Sequence, residues 1–232
     1  MTNDQRPPDQ RPRDQWKVDF HVHTCYSGDS FTSLEAVIEA CKKKGLDKVA
    51  ITDHNTIAGA LALLEMAPDL VIVGEEIKTD VGEIIAYFLK EEVPKGLPVQ
   101  EAIARVREQG GLVGVSHPLD RFRREAMGLT HLLSIIEQVD MLEAFNARTT
   151  FPSNNRRVLD LARQWGLPVT AGSDAHIPWE IGRAYVEMPA FNDSDKEEFL
   201  RSLAQGQIVG RLTTPLIHFA STWAKFVKRL QS

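Results

Sequence analysis

Seven histidines occur in this 232-residue chain, and two of them, His21 and His23, stand two positions apart in DFHVHTCYSGDS. Apolar Val18, Phe20 and Val22 alternate with Asp19, His21 and His23, a strand pattern that puts both imidazoles on one side. A loop with Ser27, Gly28 and Asp29 follows. His54 closes AITDH, His117 closes LVGVSH and His176 closes VTAGSDAH, so five of the seven histidines mark the C-terminal ends of apolar strands. His131 and His218 fall in helical patterns and read as surface or packing residues. Carboxylates keep the same positions: Asp29 after the first pair, Asp53 before His54, Glu75 and Glu76 at the end of LVIVGEE, and Asp174 two before His176. Imidazole nitrogen mixed with carboxylate oxygen suits Zn²⁺, Mn²⁺ or Fe²⁺, and the lack of thiolates in the set excludes a structural zinc finger. One catalytic zinc takes about three protein ligands. This set exceeds that number, so it predicts a site for two or three divalent ions. Cys25 lies inside the first motif but off its ligand pattern.

The elements that must position these groups alternate strand and helix. Thr32, Ser33, Leu34 and Glu35 read as a capping box for the helix LEAVIEACKKK, with Thr32 as the cap and Gly45 as the stop. The strand KVAITDHN, a small-residue helix near IAGALALLEM, and the strands LVIVGEEI and EIIAYFL come next, the last two joined by TDVG. The helix VQEAIARVREQGG and the strand LVGVSHP follow. LTHLLSIIEQV and SNNRRVLDLARQWG are the later helices, and DMLEAFN and LPVTAGSDAH the later strands. GRAYVEM, DSDKEEFLRSLAQG and QIVGRL complete the order. Repeated β-α-β units predict an α/β protein with a largely parallel sheet, closed as a barrel or open and doubly wound. In both architectures active sites form at the C-terminal strand ends.

Hydrophobic content of 43% and charged content of 25% belong to an ordinary soluble protein able to bury one sizeable core. A net charge of −5 argues against a general nucleic-acid or membrane-surface binder, which carries a basic excess. Two cysteines, Cys25 and Cys41, are too few for a disulfide framework, and no apolar run reaches the roughly 20 residues of a membrane span. A cytoplasmic protein is the expectation, with no membrane partner, no stable nucleic-acid complex and an undetermined oligomeric state. Residues 1–15 repeat a DQRP unit with no aliphatic residue after Met1 and read as a flexible tail. The domain is expected over 16–214. Residues 215–232 read as an amphipathic helix packing on it, apolar at Ile217, Ala220, Trp223, Ala224, Val227 and Leu230.

Taken together, HVHTCYSGDS, AITDHNT, GEEI, VSHP and AGSDAH resemble the motifs of the PHP family, named for its polymerase and histidinol phosphatase members. They stand in the family's order across residues 18–176. The resemblance implies a distorted (β/α)7 barrel of the PHP type with a trinuclear metal centre at its C-terminal mouth. The ligand set it implies is His21, His23, Asp29, His54, Glu76, Glu83, His117, Asp174 and His176. Glu83 is a departure, since many members place a histidine there; its oxygen favours a harder ion such as Mn²⁺. Catalysis would centre on His54 and Glu76, with Asp53 orienting a ligand from behind.

Clustered divalent ions polarise a phosphoryl oxygen and lower the pKa of bound water towards about 7. The expectation is therefore a phosphoesterase acting on a small phosphorylated metabolite or nucleotide through a metal-bridging hydroxide. Arginine suits a phosphate's planar recognition. Arg121, Arg123 and Arg124 follow His117 and Arg148 follows LEAFNA, which resembles the arginine placement of histidinol-phosphatase-like members. Arg121, Arg123, Arg148 and Asn146 are the substrate-binding candidates, with Glu143 beside Asn146 as a supporting group. Two other activities stay open: nuclease action on DNA or RNA ends, and a non-catalytic, metal-stabilised interaction module.

Overall fold

A computed structural model describes residues 14–120, 122–123 and 125–213. Strand β1 (Gln15–Val22) begins on the last residue expected in the tail. The order continues α1 (Leu34–Lys44), β2 (Lys48–Ile51), α2 (Ala58–Met66), β3 (Val71–Lys78), β4 (Glu83–Tyr87), α3 (Val99–Glu108) and β5 (Leu112–Val115). It ends α4 (Gly128–Ile135), β6 (Met141–Asn146), α5 (Pro152–Trp165), β7 (Val169–Gly172), β8 (Ala184–Pro189), α6 (Lys196–Ala204) and β9 (Gln207–Gly210). The expected tail over 1–13, Arg121, Arg124 and the expected helix over 215–232 lie outside the described residues.

One sheet carries the strands in the order β7-β6-β5-β4-β3-β2-β1-β8-β9. The pairs β1–β2, β2–β3, β5–β6 and β6–β7 are parallel, whereas β4 runs antiparallel to both β3 and β5. Two reversals restore direction, so β1, β2, β3, β5, β6 and β7 all end at one mouth and β4 begins there. The hairpin at Thr79–Gly82, closed by the Thr79 N–H donating to the Gly82 carbonyl at 2.8 Å, causes that reversal. The largely parallel sheet read from the sequence is thus corrected at β4, and again at β8 and β9, which add antiparallel to β1 and to each other.

The sheet nearly closes on itself as a distorted (β/α)7 barrel. Residues 15–18 of β1 pair with β8, but its far end turns to β7: the Asp174 N–H donates to the His21 carbonyl at 2.8 Å and the His23 N–H to the Ala175 carbonyl at 2.9 Å. Across the interior, the Tyr87 hydroxyl on β4 donates to the Phe20 carbonyl on β1, although these strands are not sheet neighbours. Alternation along the strands sorts the apolar residues into two layers. Val18, Phe20, Ala50, Ile72, Ile85, Tyr87 and Met141 fill the barrel; Val49, Ile51, Val73, Val113 and Leu142 pack outward with Val37, Leu63, Val106 and Val158 of the helices.

Helix ends follow their sequence signals with one correction. Gly45 and Gly166 take left-handed backbone and stop α1 and α5. The α1 cap is Ser33, whose hydroxyl accepts from the Ala36 N–H, and not Thr32. The Thr32 hydroxyl instead donates to the His176 carbonyl at 3.1 Å, tying the first motif loop to the last. With Ala36 at the third helical position, the reciprocal half of a capping box is missing.

Candidate metal centre

Each strand end delivers its side chain to the same mouth. His21 and His23 come from the end of β1, His54 from beyond β2, Glu76 from β3, His117 from beyond β5, and Asp174 and His176 from beyond β7. Glu83 is the first residue of β4, and the reversed strand is what brings it to the ligand end. Pairing irregularities fall in β1 between Asp19 and Val22 and in β6 between Glu143 and Phe145. Such breaks re-aim side chains beside functional sites. Two centre residues, His117 at φ 29° and Asp174 at φ 52°, hold left-handed backbone that L-residues adopt at a cost of about 1–3 kcal/mol.

Glu76 is the hub. Its Oε1 lies 2.9 Å from His117 Nε2, and its Oε2 lies 3.2 Å from His21 Nε2, 3.4 Å from His23 Nε2 and 3.2 Å from His54 Nδ1. Glu83 stands 3.6 Å from His54 Nδ1 and 3.9 Å from His117 Nε2. Asp29 faces His54 Nε2 at 3.3 Å and His176 Nε2 at 3.1 Å. Asp174 Oδ1 sits 3.4 Å from His23 Nε2. Three sets of donor atoms close enough to share an ion result: His23, Asp29, His54 and His176; His21, His23 and Glu76; His54, Glu76 and Glu83.

The donor chemistry fits cations. His21 Nδ1 lies 2.9 Å from Glu143 Oε1, an arrangement that keeps the ring proton on Nδ1 and turns the Nε2 lone pair to the centre. There it meets His23 Nε2 at 3.0 Å as well as Glu76. A single proton cannot satisfy acceptors converging from three side chains, and a divalent ion can. The field agrees. Burial pushes the Asp174 and Glu76 carboxyls up, but Arg123 and His21 beside Asp174, and His21 and His54 beside Glu76, outweigh it and hold both well below the usual range. Burial works against a charged His54 too, yet Glu76 and Asp29 raise it to about 10. Burial, then the neighbouring His176, lowers His23 to about 3. Burial and the charge of Glu76 lift Glu83 to about 8.

Around this set stand the groups that hold it. Glu143 Oε2 accepts from the His117 N–H at 2.7 Å and from Asn146 Nδ2 at 3.1 Å; the same amide reaches Asp174 Oδ2 at 3.2 Å. Asn146, expected at the substrate, is therefore placed between two carboxylates. Asp53 lies behind the loop after β1: its oxygens accept from the Thr24 N–H and the Thr24 hydroxyl, both at 2.6 Å, and burial lifts its carboxyl to about 6. Arg123 NH1 pairs with Asp174 Oδ2 at 2.5 Å. Arg148 is buried, reaching His176 Nδ1 and, through Nε at 3.6 Å, Glu180. Cys25 is exposed on the first loop.

Glu180, Asp120 and Thr24 escape a reading of the sequence. Glu180 is fully buried; it accepts from the His176 N–H at 3.0 Å and faces Arg148. Nothing in IPWEIG marks it, whereas Asp120 carries one signal, its place two residues after the SHP motif. Gly172 is required by close approach, because a Cβ there would strike the Cβ of His21 and crowd Glu143 Oε1.

The chain is a nearly closed α/β barrel that gathers imidazoles and carboxylates at its strand ends, the face where such barrels build their sites. The family model for the PHP domain matches residues 19–177, and a second, described as PHP-associated, matches residues 152–208. The chain belongs to the PHP family. It is 37% identical over 195 residues to the uncharacterized protein MJ0417 of Methanocaldococcus jannaschii, covering 81% of this chain and 78% of that one. It is 26% identical over 206 residues to a "Probable phosphatase" of Caldicellulosiruptor saccharolyticus, covering 73% and 84%. Among solved structures, a two-domain protein of Bacteroides vulgatus "containing predicted PHP-like metal-dependent phosphoesterase" superposes with a TM-score of 0.69 at 18% identity. The match covers 85% of this chain and 65% of that one, so the chain spans about two thirds of that protein's length. PsfC of Pseudomonas syringae superposes at 0.66 with 16% identity over 94% of this chain and all of its own. Among the described residues, no helix is long and apolar enough to cross a membrane.

Proposed function

We propose that the chain is a phosphoesterase that hydrolyses a small phosphorylated metabolite or nucleotide with two or three divalent ions, Mn²⁺, Zn²⁺ or Fe²⁺, at this mouth. The observation that carries the reading is the gathering of five imidazoles and four carboxylates, the nine expected ligands, at one mouth, where Glu76 and Asp29 each face several of the rings and Arg123 lies at the same face. The three donor sets would hold the ions, with His117 and Asp174 completing them. Ions so bound supply Lewis-acid polarisation of phosphoryl oxygens and acidify water. The chain's own groups fix the rest. Glu143 keeps the His21 proton on Nδ1, so the ring presents Nε2 inward. Asn146 donates from one amide to both Glu143 and Asp174 and so bridges them.

The two arginines take different tasks. Arg123, part-exposed and paired with Asp174 and, at 3.7 Å, with Asp120, brings a planar guanidinium to the face where a phosphoryl group would arrive. Arg148, buried against Glu180 and His176, orients the last histidine. The support for a phosphate ester over other anions is the joint presence of hard-ion ligands and a fork donor. The test is hydrolysis of an aryl phosphate and of nucleotides with added Mn²⁺. Turnover is expected with chelator-sensitive kinetics, and His21→Ala or Asp174→Ala should lower kcat/KM by about 100-fold or more. Either variant hydrolysing at the unmodified rate would sink the assignment. One tightly held ion per chain, with no turnover on a broad phosphate panel, would favour the interaction-module reading.

A further inference from the structure

The β5–α4 and β6–α5 loops each send one arginine inward and leave one phenylalanine outside. Arg123 reaches Asp174, and its neighbour Phe122 is 71% exposed. Arg148 reaches His176, and Phe151, three residues on, is 48% exposed. The two rings meet at a centroid distance of 5.2 Å and an interplanar angle of 56°. A fully buried carboxylate fixes this meeting. Asp120 Oδ1 accepts from the Phe122 N–H at 3.4 Å and Asn154 Nδ2 at 3.3 Å; Oδ2 accepts from the Thr150 N–H at 2.8 Å and the Thr149 hydroxyl at 3.4 Å. One acid thus ties together the backbones that carry both rings. Apolar surface held in water beside a polar centre marks a ligand-binding face.

We infer that Phe122 and Phe151 form a platform for the alcohol portion of the ester, and that this portion carries a flat aromatic ring of nucleobase size. The inference rests on the phosphoesterase reading above and narrows its substrate class. The phosphate-binding cation and the aromatic pair come from the same loops, so a substrate whose phosphoryl end meets Arg123 extends over the rings. A flat ring stacks on one phenyl face and meets the other, tilted by 56°, towards its edge; a bare sugar or amino alcohol would leave them wet.

Adenosine 5′-monophosphate and ribose 5-phosphate test this directly, because their scissile ester is the same primary alcohol and they differ in the base. With Mn²⁺, the protein should prefer the nucleotide in kcat/KM by about 5-fold to 100-fold, the effect of one stacked base. Phe122→Ala, Phe151→Ala and the double variant should bring that ratio towards one, mostly through KM for the nucleotide, and Phe122→Trp should keep it. Equal kcat/KM for the two esters, or variants that lower both by the same factor, would overturn the platform and leave the phosphoesterase reading standing. Failure to turn over either ester or an aryl phosphate would remove the phosphoesterase reading, and the platform with it.

Discussion

Glu75 is the outward-facing partner of the hub glutamate, and a single amide in its place should stabilise the fold in a pH-dependent way. It is fully buried, one oxygen accepts from the Val93 N–H at 2.9 Å, and the other has no hydrogen-bond partner among the described residues. Burial, only partly opposed by that one bond, raises its carboxyl from 4.5 to about 8. In the folded chain at pH 7 it is protonated, and in the unfolded chain it is ionised. The folded state therefore binds more protons, and the stability this group contributes is fully present below about pH 4.5 and is lost as pH rises through about 8. Each pKa unit is worth about 1.4 kcal/mol. Glu75→Gln keeps an acceptor for Val93 and removes the titration. It should therefore be more stable than the unmodified protein by about 2–3 kcal/mol at pH 7 and by less than about 1 kcal/mol at pH 5. Urea denaturation in chelator at both pH values measures the difference and removes metal linkage. The sites elsewhere cancel in the comparison. A gap of the same size at both pH values would show that Glu75 does not gain a proton on folding, and the reasoning from burial would fail.

Gly172→Ala should lower activity by about 10-fold or more and stability by about 1–3 kcal/mol, since the new methyl displaces His21; thermal melts and phosphatase kinetics check both. Asp120→Ala should cost about 2–3 kcal/mol, seen as a lower urea midpoint, because donors on two loops lose a charged acceptor at once. Ser33→Ala, whose hydroxyl bonds the start of α1, should cost about 1 kcal/mol through the lost helix cap and leave activity per folded molecule unchanged. Chelation should lower the melting temperature by several degrees. An ion present at about 100 times its Kd stabilises the folded chain by about 2.7 kcal/mol, and re-addition of Mn²⁺ should restore the melt.

The clustered strand ends were readable because apolar runs finishing in His or Asp have few uses, and parallel strands necessarily deliver such ends to one face. Glu83 is the instructive case. It opens a strand where the other members of the cluster close theirs, and only the four-residue turn before it tells that β4 is reversed. What stayed hidden depended on distant partners. Thr32 and Ser33 are equally good caps by type, and the choice is made by the His176 carbonyl, 144 residues away, which takes the Thr32 hydroxyl. Glu180 reads as a solvated loop acid until Arg148 buries it. Asn146 could be singled out from its place at a strand end in LEAFNA, but its position between Glu143 and Asp174 needed the packing of β6 against β7.

The left-handed backbone at His117 and Asp174 has a consequence for how this chain could change under selection. Glycine would relieve the twist at either position, but at 174 it would strip Arg123 and Asn146 of a carboxylate they share, and at 117 it would take the imidazole from Glu76. A library sorted for heat resistance alone should therefore gain nothing from glycine at 174, because endurance and chemistry ask for the same side chain there.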